Sequence, residues 1–110
     1  MKINTDDIKT NGAHEQGCMV IKYRELVEIF GQPRAPLGED SDAEWDIEFD
    51  DGAVCTIYNW RNGRRYLGPK GPTVEQIELW QIGGHKLFIL FSINRYINEA
   101  REARKALHHG

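Results

Sequence analysis

Between Glu39 and Asp51 the chain places eight carboxylates and no lysine or arginine. Four of them, Glu44, Asp46, Glu48 and Asp50, alternate with Ala43, Trp45, Ile47 and Phe49. A strand with this pattern projects all four from one face at about 6.5–7 Å spacing, twice the rise per residue. Successive phosphates of an extended nucleic-acid strand lie about 7 Å apart, so such a row can stand in for that backbone before an Arg/Lys-lined channel. The same alternation is also how the solvated face of any antiparallel strand looks. What favours the first reading is the missing counter-charge, since solvated faces ordinarily mix both signs. Glu44, Asp46, Glu48 and Asp50 are therefore the first candidate partner-binding residues.

A second constellation follows closely. Tyr58, Trp60, Arg61, Arg64, Arg65, Tyr66 and Lys70 set four cations and three aromatics within loop 58–70. Aromatic stacking combined with guanidinium contacts grips single-stranded nucleic acid or a nucleotide. The competing reading is a hairpin loop whose arginines pair with neighbouring carboxylates. Tyr58, Trp60, Arg61, Arg64, Arg65 and Tyr66 are the alternative, nucleic-acid-binding set. Gly68-Pro69-Lys70-Gly71-Pro72-Thr73 is not a phosphate loop: it lacks the GK[ST] ending, and its prolines remove the backbone donors a phosphate cradle needs.

Signals for catalysis are thin. His85 and His14 have no carboxylate or cysteine at ligand or triad spacing, and His108 and His109 look like tail residues. Cys18 and Cys55 are far apart without a CxxC partner, and Cys55 suits a small core position. We expect no enzyme activity, no metal site and no cofactor.

These residues need elements to hold them. Tyr23, Leu26, Val27 and Phe30 recur at helical spacing, with Gly31 and Pro33 as stop signals, so a helix is predicted over 22–30. Strands are predicted over 43–50 and 54–58 around an Asp51-Gly52 turn, and over 79–82, ended by Gly83-Gly84. A two-residue turn would oppose Trp45 to Tyr58; a three-residue loop would oppose Trp45 to Ile57 and Ile47 to Cys55. The second keeps the more apolar set together and is preferred. Thr73 and Gln76 have capping-box spacing for one helical turn. Asn94 to Leu107 is helical by composition and stripe. Residues 86–93 fit either a buried strand or the first turns of that helix, and the lack of an intervening Gly or Pro favours helix. The expected fold is α+β: a small antiparallel sheet of three to four strands, a short N-terminal helix and a long C-terminal helix, both on one face. Residues 1–17 are expected to form a loosely attached polar arm with at most one short strand, and 18–110 a single domain.

Bulk properties narrow the classes further. One hundred and ten residues with 40% hydrophobic and 28% charged side chains suit one ordinary globular domain. A net charge of −3 supplies no overall field toward nucleic acid or anionic lipid. The longest apolar run, Leu87 to Phe91, is far below the roughly 20 residues of a membrane span. Met1 to Asp7 carries no hydrophobic leader core. The expected location is the cytoplasm.

Tyr23-Arg24-Glu25-Leu26-Val27-Glu28-Ile29-Phe30-Gly31-Gln32-Pro33, then Ala43 to Phe49 with Asp51-Gly52, Thr56 to Trp60, Tyr66-Leu67-Gly68 and Trp80-Gln81-Ile82-Gly83-Gly84 resemble a set of small phage and prophage proteins. The likeness covers roughly residues 1–84; Leu87 to Phe91 is more apolar than that pattern. The resemblance implies a phage-encoded accessory protein in a bacterial host cell. Proteins of that sort often bind and block a host protein, anti-CRISPR and other anti-defence proteins among them. The expected partner is therefore a host protein that handles nucleic acid. A homodimer through Leu87, Phe88, Ile89, Leu90 and Phe91 is a further expectation, because this run is apolar all round whereas a helix on a sheet needs one apolar stripe.

Overall fold

The computed structural model describes residues 1–35 and 38–109, without the side chains of Asp7, Ile8, His108 and His109. The reading of His108 and His109 as tail side chains thus lies outside what is described.

The hairpin forms as its alternation requires. β3 (Glu44–Glu48) and β4 (Val54–Tyr58) pair with Trp45 opposite Ile57 and Ile47 opposite Cys55. This is the register of the three-residue loop, closed by Phe49 N–H to Ala53 O at 2.8 Å. β5 (Leu79–Gly84) lies antiparallel to β4. Gly83 and Gly84 were expected to end this strand, yet they continue it. A Cβ on Gly83 would stand 2.2 Å from Thr56 Oγ1 on β4, so the glycine serves a close approach within the sheet.

Two further strands lie wholly or partly in the 1–17 segment, where at most one short strand was expected. β1 (Lys2–Ile3) pairs with β3, and β2 (His14–Val20) pairs with β5, which gives a five-stranded antiparallel sheet in the order β1-β3-β4-β5-β2. The three-to-four-strand expectation is corrected to five, and the arm is part of the sheet. Its polar composition misleads because β2 is an edge strand with no fully buried residue, so it needs no apolar run. A four-residue helix, α1 (Asp7–Thr10), joins β1 to β2.

α2 (Tyr23–Phe30) matches the helix predicted at 22–30, and the Gly31 N–H bonds Val27 O at 2.8 Å at its end. α4 (Ile89–His109) takes up most of the ambiguous 86–93 segment as helix. α2 and α4 cover one face of the sheet. There Leu26, Phe30, Trp45, Ile47, Cys55, Ile57, Trp80, Ile82, Ile89, Ile93 and Ile97 form one buried core. Trp45 meets Trp80 edge-on at 5.6 Å, and each indole N–H is satisfied, by Gly31 O and Ile21 O respectively. Arg101 clamps the helices together with two hydrogen bonds to Glu25 at 3.0 and 2.7 Å. Among the described residues no helix is long and apolar enough to cross a membrane.

Candidate functional site

The opposite sheet face carries the acidic row, and the structure does not leave it open to solvent. Asp46 is completely buried and ion-paired with Arg34. Glu48 accepts hydrogen bonds from Thr5 Oγ1 and Lys9 Nζ, both at 2.8 Å, which hold its carboxyl below the usual range. Glu44 is half-buried, and its backbone oxygen takes the Arg34 N–H at 2.8 Å. Asp50 lies beyond the strand end, almost wholly exposed, and is paired with the Met1 amino group. The expected exposed row of Glu44, Asp46, Glu48 and Asp50 is therefore corrected: three of the four are covered to differing degrees, with Asn4, Thr5, Lys9 and Arg34 bonded to them. The counter-charge missing from the run comes from Lys9 and Arg34, distant in sequence, which local composition could not reveal.

The second constellation is brought together in part. Arg61 lies between two rings, its guanidinium carbon 4.9 Å from the centroids of both Trp60 and Tyr66. Tyr58 meets Trp60 edge-on at 6.5 Å. Trp60 and Tyr66 are 47% and 49% exposed, so both residues remain accessible from outside. Arg61 Nε donates to Asp40 Oδ1 at 2.9 Å, which strengthens its hold on its proton. Arg64 and Arg65, on the single helical turn α3 (Arg64–Leu67), do not join the stack. Their Nε atoms donate to the backbone oxygens of Gly71 and Gly38.

Asn59, which the sequence did not single out, holds this loop. It is completely buried. Its Oδ1 accepts the N–H groups of Asp42 and Ala43 at 2.8 and 3.1 Å, and its Nδ2 donates to Asp42 Oδ1 and Asn62 Oδ1 at 2.8 and 3.0 Å. Asp42 also accepts the Arg65 N–H at 3.2 Å. A Cβ on Gly63 would stand 2.1 Å from Asp42 Oδ1, so the loop closes only over a glycine there. Arg61 sits at φ +54, a left-handed conformation uncommon outside glycine. A full amide network and a strained backbone thus fix the Arg61 side chain between its rings. An asparagine placed directly between an apolar strand and a turn was the available signal.

Beside Trp60 a polar groove of about 260 Å³ opens, lined among others by His14, Ser41, Glu44, Thr56 and Tyr58. Burial first, then the nearby Glu15 and Glu44 charges, push the Tyr58 phenol pKa up, so it remains a hydroxyl donor. His14 contacts Gln16 and His85 contacts Lys9 O. Among the described residues no group of three His, Cys, Asp or Glu is placed to hold a metal ion. Chemically, the cluster offers two aromatic faces, a positioned guanidinium and an adjoining hollow lined by hydroxyls and the Glu44 carboxylate. No protein-family model, curated protein or solved structure matches this chain.

Proposed function

We propose that the chain is a protein-binding module that engages its partner through Trp60, Arg61 and Tyr66. The observation carrying this reading is the Arg61 guanidinium held between the rings of two half-exposed residues at 4.9 Å each. Trp, Tyr and Arg are the residues enriched at protein-binding hot spots, and a pre-ordered cluster loses little side-chain entropy on association. The groove beside Trp60 is large enough to receive one anchoring side chain. A protein suits this surface better than a polyanion does, because Asp40 pairs with Arg61 and Glu44 lines the adjoining groove. Burial of the acidic row removes most of the support for nucleic-acid mimicry by Glu44, Asp46 and Glu48. The resemblance to small phage and prophage proteins supports a bacterial host protein as the partner, and a blocking role, without catalysis, as the action.

The test is capture from bacterial lysate on the immobilised chain, run beside the Trp60→Ala and Tyr66→Ala variants. One stoichiometric protein retained by the parent and lost from both variants supports the reading. Capture that ignores both substitutions overturns it. Tight binding of short single strands in fluorescence anisotropy, abolished by Arg64→Glu with Arg65→Glu, would replace it with the nucleic-acid reading.

A further inference from the structure

The head of α4 carries a second surface, distinct from the Trp60 cluster. Leu87, Phe88 and Phe91 are 66%, 68% and 59% exposed, while Ile89, Ile93 and Ile97 of the same segment fill the core. The Phe88 and Phe91 rings lie 5.5 Å apart and shield each other only in part. An aromatic side chain presents about 150–250 Å² when fully open, so this patch exposes roughly 300–450 Å² of apolar surface. That is as large as the largest patch on many monomers, and such patches are often functional.

Two grooves adjoin it, and Phe88 borders both. One, of about 460 Å³, lies between the hairpin tip at Asp51 to Val54 and Lys86. The other, of about 490 Å³, lies beside Phe49, Phe91, Arg95 and Tyr96. A protruding ring pair next to a hollow that can take a ring is what an isologous contact requires, since each copy gives and receives the same groups. The charges around the patch are mixed: Asp50, Asp51 and Glu99 on the acidic side, Lys86 and Arg95 on the basic side. A two-fold axis can set acid against base twice over. An anionic membrane, or a partner of one charge sign, meets like charge on part of the rim.

We propose that this face joins two copies of the chain, the Phe88–Phe91 pair of each copy seated in the other's groove between the hairpin tip at Asp51 to Val54 and Lys86. A stable interface buries about 800 Å² on each partner. The apolar patch supplies roughly half of that, and the charged rim must supply the rest.

Sedimentation equilibrium of the full chain, from low to hundreds of micromolar, tests this. The mass should rise from 12.7 kDa to twice that value. It should stay at the monomer value in the double variant Phe88→Asp with Phe91→Asp, whose exposed positions leave the core intact. A monomer throughout the range overturns the proposal and leaves the patch to a foreign partner. A dimer that persists in the double variant overturns this choice of face. Should the variant not fold, hydrogen exchange of the parent chain at both ends of the range decides. Slower exchange at 51–54 and 86–95 in the concentrated sample supports the dimer, and concentration-independent exchange there overturns it.

Discussion

Arg34 and Asp46 form an ion pair on the acidic face of the sheet, with the Asp46 side chain wholly buried and the Arg34 side chain about one-fifth exposed. Beside the pair, on the length of β3 that β1 does not reach, Arg34 bridges Glu44 through the backbone and Thr5 N–H bonds Asp46 O at 3.0 Å. Such cover keeps the strand edge from pairing with another chain.

Breaking this pair from the cation side strands a buried carboxylate. Arg34→Met should lower stability by about 3 kcal/mol, the low end for a buried pair because Arg34 keeps some solvent. Arg34→Met combined with Asp46→Leu should recover much of the loss. Urea denaturation measures both. A single-variant loss well below 1 kcal/mol would show that the pair carries no structural weight.

Acid should loosen the joint between α2 and α4. The two Arg101 hydrogen bonds, with further attraction from Arg101 and Arg104, hold the Glu25 carboxyl below its ordinary value of 4.5. A carboxyl with a depressed folded pKa stabilises fully above the unfolded value and loses that contribution as pH falls through the folded one. The Glu25 contribution should therefore be fully present above about pH 5.5 and be lost progressively below about 4.5. In Glu25→Gln the acid limb should be shallower and the neutral stability lower, as thermal melts across pH would record. An acid limb of unchanged slope would assign the titration to other carboxylates, Glu48 first.

Gly63→Ala tests whether order in the loop matters for binding. The new methyl must displace Asp42, which holds both Asn59 and the Arg65 N–H. We expect a stability loss of about 1–3 kcal/mol. Partner affinity should fall although Trp60, Arg61 and Tyr66 are untouched. Full affinity in a destabilised variant would mean that the partner itself orders the loop.

The two cysteines should differ sharply in reactivity. Cys18 is exposed, whereas Cys55 is buried on β4, and burial, with a smaller push from the Asp46 charge, drives its thiol up to about 12. A thiol reagent at pH 8 should label one cysteine in the native protein and the second only on unfolding. Rapid native labelling of both would show that the sheet opens at β4.

The local periodicities of the chain specify most of the fold's middle. The Tyr23–Phe30 stripe closed by Gly31, the alternation through Trp45 and Ile47, and the Val54–Tyr58 return strand each match one element. Even the hairpin register was readable, because slipping it would part Trp45 from Ile57 and Ile47 from Cys55. β1 and β2 were not readable, since edge strands half in water need no apolar pattern and gain their hydrogen bonds from a partner distant in sequence. The same limit governs the sites. The sequence brought Trp60, Arg61 and Tyr66 within seven residues, but only tertiary structure set the guanidinium between the rings, through Asp40 and the buried Asn59. It also decided that the acidic strand would be covered, because Lys9 and Arg34 reach those carboxylates by chain folding, and charge neutralisation depends on distance in space, not along the chain.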